Sequence, residues 1–251
     1  MSNGKRNQER SINDKTFKTD SCQSKSGGGR LVAPKTAFTL AEVLVTLGII
    51  GVVSAMTVPS LMQNHQRKTY VTQLHKVYNE LSQALMQYQT DKNAVNLTEA
   101  GLNSEAAFGV FLKKYFNVVQ DCGQEMTPCF SNEYKKISGV NVAFSCTANC
   151  SVLASGAAIG TYHEIEAYGK KSIIAIPVDI NGQKGPNILG RDAFFMLLFK
   201  NGVIDDMNVD PDVPPSKEAR EKIAAGCFTD NSSEWHGCLS KILNDNWDMT
   251  Y

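Results

Sequence analysis

The sequence lacks the features that mark several common classes of protein. It has no net charge, with 25 Lys and Arg residues against 25 Asp and Glu residues. A broadly basic nucleic-acid-binding protein is therefore excluded, because such a protein carries an excess of positive charge. The sequence has no nucleophile elbow, no phosphate-binding loop and no HExxH motif. It also has no internal repeat. We therefore predict neither an enzyme nor a nucleic-acid partner.

The neutral total combines two parts of opposite charge. Residues 1–37 contain eight Lys and Arg residues and three acidic residues, which leaves 17 basic and 22 acidic residues in 38–251. The first part is polar, contains a run of three glycines and shows no apolar periodicity. This composition is typical of a disordered segment. We predict that residues 1–37 form a basic, disordered leader.

The cysteines divide between the same two parts. Cys22 is alone in the leader, and an even number follows it, which indicates disulfides and an oxidising compartment. Neighbours in sequence suggest three pairs, although six cysteines allow many other connectivities. Zinc is the alternative, but no C-x2-C spacing and no paired histidines support it. The six candidates are Cys122, Cys129, Cys146, Cys150, Cys227 and Cys238.

The stretch from Phe38 to Val58 has the length and composition of a membrane span. Its 21 residues include one ionisable residue, Glu42. As a helix it would be about 31 Å long, enough to cross the hydrocarbon core of a bilayer. The basic leader predicts that the N-terminus is cytoplasmic and that the cysteines lie outside. An alternative is ordinary signal-peptidase cleavage after Ala55, which would release a secreted protein that begins near Met56.

After the span, the pattern predicts an amphipathic helix and then an α+β domain. Pro59 is expected to kink or stop the helix, and apolar residues then recur at spacings of three and four over residues 59–90. We predict that residues 91–251 form a globular head in which a small antiparallel sheet packs against a helix. The helix is expected at 104–116, and the strands at 137–145, 173–180, 194–199 and 203–204.

The start of the apolar segment carries the strongest functional signal. Ala37 is a small residue directly before Phe38, and Glu42 follows four residues later. A carboxylate inside a membrane costs free energy and is therefore a functional site by default, one that needs a partner. Cleavage between Ala37 and Phe38 would create that partner, a free α-amino group. The pair would form within one chain or between neighbouring chains, where it would specify the axial register.

With these residues, the apolar helix and Pro59, the sequence resembles type IV prepilins and type II secretion pseudopilins. The resemblance implies that a prepilin peptidase cuts before Phe38 and N-methylates it, and that Glu42 guides docking. It also implies a pilin-like fold, copies of this chain and other pilins as partners in a filament, and an inner-membrane assembly platform. Two features depart from the family pattern: Ala37 stands where glycine is usual, and the leader is long.

The alternative to a filament subunit is a single-pass, membrane-anchored binding protein that does not polymerise and whose head lies outside the cytoplasm. In that hypothesis the apolar segment is only an anchor, and the position of Glu42 has no role in assembly. The two hypotheses predict different N-termini. A processed subunit begins at Phe38, whereas an unprocessed anchor begins at Met1 or Ser2.

Two acidic segments of the head are further candidates. Asp179, Asn181 and Asp192 offer oxygen atoms to calcium around a Gly-rich loop, and the resemblance to pseudopilins favours such a site. The alternative is a structured turn in which these side chains bind the backbone. No other cofactor is predicted. The second segment is expected to be a solvated acidic face, and its residues are Asp205, Asp206, Asp210 and Asp212.

Overall fold

The computed structural model describes residues 38–162, 164–167, 170–208, 210 and 212–251, without the side chains of 164–167 and 170–173. The predicted leader, Ala37 and Cys22 lie outside the described residues. The chain divides into two compact units after Gly51. The helices are α1 (Leu40–Asp91), α2 (Glu105–Tyr115), α3 (Lys217–Ala224) and α4 (Cys238–Asn244), with a 3-10 turn at Ala225–Phe228. The strands are β1 (Val118–Gly123), β2 (Tyr134–Lys136), β3 (Asn141–Val142), β4 (Ala148–Leu153), β5 (Ala158–Thr161), β6 (Glu164–Ala167), β7 (Lys170–Asp179), β8 (Ile188–Leu189), β9 (Ala193–Leu198) and β10 (Ile204–Asp205).

Helix α1 contains 52 residues and continues through Pro59, so this proline does not stop the helix. The predicted amphipathic pattern is present, but it begins later than residue 59. Leu61 is still 67% exposed, and burial begins ten residues further on. Side chains three or four residues apart lie on one face of a helix and together form a stripe. The buried stripe consists of Val71, Leu74, Val77, Leu81, Ala84, Leu85 and Tyr88.

The strands of the head form one sheet in the order β1-β4-β5-β7-β9-β8-β2-β3, with β6 paired to β7 and β10 to β9. Most pairings are antiparallel, and the pairs β2–β8 and β8–β9 are parallel. Strands β7 and β9 pair from Ile174 opposite Leu198 to Asp179 opposite Ala193. The α+β class, the helix at 104–116 and the strands at 173–180 and 194–199 are thus confirmed.

The prediction of one strand at 137–145 was wrong. Strands β2 and β3 are antiparallel neighbours joined by a turn, so the chain reverses inside this segment. In the turn, Gly139 has a φ of +91° and its N–H donates to the carbonyl of Lys136 at 2.9 Å. This φ favours glycine, because residues with a side chain rarely adopt this backbone conformation. The alternating residues that suggested a strand, Val140, Val142 and Phe144, all lie after the turn, and only Asn141–Val142 forms a strand there.

Three disulfides close loops in the head, and they are the three pairs of sequence neighbours: Cys122–Cys129, Cys146–Cys150 and Cys227–Cys238. The zinc hypothesis is wrong for these cysteines, because each sulfur atom is bonded to another sulfur atom. Cys227–Cys238 connects the 3-10 turn to the start of α4. It therefore closes residues 227–238 into a loop, which we call the C-terminal loop.

Candidate functional site

The first part of α1 exposes its apolar side chains. Within the described residues, α1 alone is long and apolar enough to cross a membrane; its best window has a mean hydropathy of 2.0 and is 0% buried. Leu44, Leu47 and Ile50 are each about 60% exposed. A Cβ atom added to Gly48 or Gly51 would meet nothing within 4 Å. This segment, residues 40–62, is called the apolar segment below, and it is compatible with single-pass membrane anchoring.

At the start of α1, Glu42 has partners within its own chain. Its Oε2 atom accepts hydrogen bonds from the backbone N–H of Thr39 at 2.8 Å and from Thr39 Oγ1 at 2.9 Å. In return, the N–H of Glu42 donates to Thr39 Oγ1 at 3.2 Å. This reciprocal arrangement is a capping box, which satisfies backbone donors at the N-terminus of a helix. Thr39 is therefore a site residue that the sequence analysis did not single out.

The other predicted assembly residues are placed as follows. Phe38 precedes the capping box and is 87% exposed, so its side chain is available to a partner. Ala37 lies outside the described residues. Pro59 lies within α1, near the end of the apolar segment. The structure therefore brings Phe38 and Glu42 to the same end of one helix.

The loop between β7 and β9 brings Asp179 and Asp192 into the interior of the head. Both carboxyl groups are completely buried. Asp179 accepts hydrogen bonds from the hydroxyl of Tyr134 at 2.6 Å and from the N–H of Asn181 at 3.1 Å. Asp192 accepts from the N–H groups of two residues of the loop, at 2.8 and 2.7 Å. Every carboxylate oxygen thus faces a proton donor, as expected for the structured turn.

Burial controls the titration of Asp179 and Asp192. It raises the pKa of Asp179 to about 7, although the hydrogen bonds from Tyr134 and Asn181 oppose the shift. Burial also raises the pKa of Asp192, against hydrogen bonds from the backbone. Removing a carboxylate from water disfavours its charged form. The two groups therefore hold protons to a higher pH than exposed carboxyl groups do.

The calcium hypothesis for this loop has mixed support from the geometry. The side-chain oxygens of Asn181 and Asn187 are buried without a hydrogen-bond partner, and a cation would satisfy them. The carboxylates of Asp179 and Asp192, however, are already hydrogen-bonded. Among the residues that the structure describes, no group of three or more His, Cys, Asp or Glu side chains could hold a metal ion. Calcium stays a prediction, and we derive no step from it.

The predicted solvated acidic face is wrong at two of its four residues. Asp205 and Asp206 are buried, and each holds a basic residue of a different segment. Asp205 makes a bidentate ion pair with Arg220 of α3. Asp206 accepts a hydrogen bond from Nδ1 of His236 at 3.0 Å. It also accepts hydrogen bonds from the backbone N–H of the residue directly before α4, at 2.9 Å, and from a backbone N–H in the first turn of α4, at 3.0 Å.

The pKa values of Asp205 and Asp206 shift in opposite directions. Burial raises the pKa of Asp205, and the hydrogen bond from Arg220 only partly compensates. Burial would also raise the pKa of Asp206, but the hydrogen bond and the charge of His236 outweigh it and leave the pKa below the usual value. Asp206 is therefore a buried, ionised anchor that ties the end of β10 to the C-terminal loop.

A second anchor of the C-terminal loop is Lys136, which is 1% exposed. Its Nζ atom donates to the carbonyl of Gly226 at 2.9 Å, to Thr229 Oγ1 at 3.0 Å and to the carbonyl of Asn231 at 3.0 Å. All three protons of the ammonium group are thereby used. No local pattern predicts this contact, because the first acceptor lies 90 residues away in the sequence.

The C-terminal loop and α3 line an open pocket of about 560 Å³. On one side, Trp235 packs against His236, with ring centroids 3.8 Å apart, and against Phe195 at 4.2 Å. Glu234 accepts a hydrogen bond from Thr229 at 2.8 Å. More of the pocket lining is apolar than polar, and Thr229, Glu234, Trp235 and His236 are held by partners within the head.

Comparison with known proteins adds no relative to these observations. No protein-family model, no curated protein and no solved structure matches the chain. Any functional conclusion therefore rests on the sequence and on the geometry described above.

Proposed function

We propose that the protein is a structural subunit of a filament of the type IV pilus or type II secretion kind. In this proposal a prepilin peptidase cuts between Ala37 and Phe38 and N-methylates Phe38. The mature chain is anchored in the inner membrane until it polymerises through the apolar segment. Its partners are copies of itself, other pilins or pseudopilins, and an inner-membrane assembly platform.

The exposure of the apolar segment carries this proposal. A large apolar surface on a soluble monomer is unusual and marks contact with a membrane or another protein. Here it lies on the helix whose later residues form the core of a disulfide-bonded head. Close packing of such helices replaces lipid contacts by van der Waals contacts. The same surface can therefore face lipid before assembly and other subunits after it.

The test is the N-terminus of the protein from its native membrane, determined by intact mass and N-terminal sequencing. We expect a chain that starts at Phe38 and carries one additional methyl group. A start at Met1 or Ser2 would contradict the proposal and indicate a plain anchor. A start near Met56 would indicate a secreted protein.

Two variants test the roles of single residues. Replacing Ala37 by a bulky residue such as Trp should abolish cleavage, because only a small side chain is expected to fit the peptidase. Glu42→Ala should still be inserted into the membrane but should assemble poorly. Normal filaments of Glu42→Ala would contradict the role of its charge in register.

The second candidate is a membrane-anchored binding protein whose head lies outside the cytoplasm and which does not polymerise. One observation favours it: the capping box gives Glu42 a role within its own helix, so the carboxylate does not require a partner from another chain. Glu42→Gln separates the two candidates, because glutamine can still accept the capping hydrogen bond but has no charge. The anchor hypothesis predicts normal behaviour for this variant, and the filament hypothesis predicts impaired assembly.

A further inference from the structure

Three basic side chains closely follow the apolar segment of α1. His65, Arg67 and Lys68 lie three to six residues after Met62, where the segment ends. His65 and Lys68 are exposed, and Arg67 is half-buried. Consecutive residues of a helix point about 100° apart, so the three side chains point to different sides of α1. We call them the basic collar.

The basic collar carries positive charge that its own helix does not neutralise. No Asp or Glu occurs between Glu42 and Glu80. In the part of the chain that the structure describes, no side chain of the collar makes an ion pair or a hydrogen bond. The next lysine of α1, Lys76, does have a carboxylate partner, Glu80, at 3.8 Å. The charges of the collar are therefore available to a partner from outside the head.

Basic residues on this side of the apolar segment run against the topology signal. The positive-inside rule places Lys and Arg on the cytoplasmic side of a span, and residues 1–37 contain eight of them. Arg67 and Lys68 follow the span, so in the proposed topology they lie on the outer side. There they weaken the signal that orients the helix. A binding role gives a reason for their position.

The rise of the helix places the basic collar at the level of the lipid headgroups. The headgroup layer of a bilayer is about 5 to 7 Å thick on each side. With Met62 at the edge of the hydrocarbon core, the backbones of Arg67 and Lys68 lie about 7.5 and 9 Å beyond that edge. Side chains of a helix tilt toward its N-terminus, here toward the membrane. Their long apolar stems let the charged groups reach back to the headgroup phosphates.

We propose that the basic collar binds the phosphate groups of anionic phospholipids, in the membrane leaflet that faces the head. The planar guanidinium group of Arg67 can donate two hydrogen bonds to one phosphate, and Lys68 adds a compact positive charge. His65 offers a further N–H donor. This inference rests on the proposed function, of which it needs only the membrane span. It adds a lipid partner and sets the depth of α1 in the bilayer.

The experiment measures lipid binding by the full-length chain in an uncharged detergent, by native mass spectrometry. Phosphatidylglycerol is the anionic probe, and phosphatidylcholine, whose phosphate is balanced by the choline charge, is the neutral probe. Each Lys or Arg near an anionic surface strengthens binding about fivefold, so Arg67→Gln/Lys68→Gln should bind phosphatidylglycerol about 20-fold less tightly. Its affinity for phosphatidylcholine should not change. Added salt should weaken the binding of phosphatidylglycerol to the wild type, because ionic contacts are screened.

The matched control is Lys92→Gln/Lys113→Gln, which removes the same charge at exposed positions near the other end of α1. Lys92 directly follows the last residue of α1, and Lys113 belongs to α2. Helix α2 packs against that end of α1 through the rings of Phe111 and Tyr88, whose centroids are 5.5 Å apart. This control should bind phosphatidylglycerol as the wild type does. Equal losses in the two double variants would indicate an effect of net charge alone and overturn the inference.

The remaining outcomes separate this inference from the proposed function. If Arg67→Gln/Lys68→Gln binds phosphatidylglycerol normally but forms fewer filaments in the native host, the collar contacts acidic groups of neighbouring subunits, and the lipid proposal is overturned. Equal affinity of the wild type for both lipids also overturns it, and a mature chain that starts at Phe38 leaves the proposed function intact. A start at Met1 with a preference for phosphatidylglycerol supports the collar and contradicts the filament subunit. A start near Met56 removes the span and overturns both.

Discussion

The two parts of α1 have similarly apolar side chains in opposite surroundings. Leu44 and Leu47 of the apolar segment are 61% and 60% exposed, whereas Leu74 and Leu81 further along the helix are completely buried. The later part alternates apolar and polar residues and places its stripe in the core of the head. The apolar segment is apolar on every side, and such a helix needs an apolar medium all around it.

This difference shows where the head obtains its own stability. The core of the head does not include the apolar segment. It consists of the buried stripe of α1 together with residues of α2 and of the sheet. The head adds three disulfides and buried polar anchors. The apolar segment, in contrast, is exposed, and no other described part of the chain buries it. Its partner is expected to be lipid or other subunits.

The largest effect is expected from removal of a buried anchor of the head. Asp206→Ala leaves His236 and backbone donors at the start of α4 without an acceptor. Each buried donor left without an acceptor costs about 1 to 3 kcal/mol, and the loss of several at once makes this the largest effect. Urea unfolding of the detergent-solubilised protein should show this loss. The exposed Asp248 is the control, and Asp248→Ala should leave the unfolding midpoint unchanged. Equal stability of both variants would contradict the anchor role.

The second-largest effect is expected for a variant that tests what surrounds the apolar segment. Leu47→Asp places a carboxylate near the middle of the proposed span, which costs about 2.5 to 3.5 kcal/mol. We expect a large loss of alkali-resistant membrane association. Gln73→Asp, at an exposed position of the later part of α1, should not change it. If Leu47→Asp remains fully membrane-bound, the segment does not lie in lipid.

A smaller effect is expected at Lys136. Lys136→Met keeps most of the volume but removes the hydrogen bonds of the ammonium group to three oxygen atoms. Each of these atoms keeps another hydrogen bond, so we expect a loss of about 1.5 to 3 kcal/mol, the range for a hydrogen bond to a charged group. The neighbouring Lys135 is exposed in the same strand. Lys135→Met is therefore a matched control that should unfold as the wild type does. Unchanged stability of Lys136→Met would show that the C-terminal loop does not depend on the ammonium group.

The smallest effect, when it is counted per pH unit, concerns the pH dependence of the head. The pKa of Asp179 is raised to about 7, so the folded state holds a proton that the unfolded state loses near pH 4. The contribution of Asp179 to stability is therefore complete below pH 4 and decreases as the pH rises to about 7. The slope is at most about 1.4 kcal/mol per pH unit.

Asp179→Asn should reduce this slope, because asparagine does not titrate. The slope is measured as the free energy of unfolding at several pH values from 4 to 8. Part of the slope will remain in this variant, because the pKa values of the buried Asp192 and Asp205 are also raised. A slope of the same size in Asp179→Asn would contradict the assignment to Asp179.

Prediction from sequence succeeded where the signal is local. The long helix, α2 and the strands β7 and β9 follow from periodicity, and the disulfides join sequence neighbours. The capping box also had a local signal, because Thr39 and Glu42 have the spacing typical of a box before an apolar run. Prediction failed at 137–145, where Gly139 reverses the chain, and at the acidic residues 205 and 206, whose basic partners lie 15 and 30 residues away.

The sequence by itself determined the division of this protein into a basic N-terminal stretch, an apolar helix and a cysteine-containing head. Hydrophobic periodicity, charge and cysteine content are properties of neighbouring residues, so they can be identified without coordinates. Only the tertiary structure decided which charges are buried, because burial depends on residues brought together from distant segments. The same reasoning applies to Glu42: its position was evident from the sequence, but only the structure showed that Thr39 donates two hydrogen bonds to one oxygen of its carboxylate.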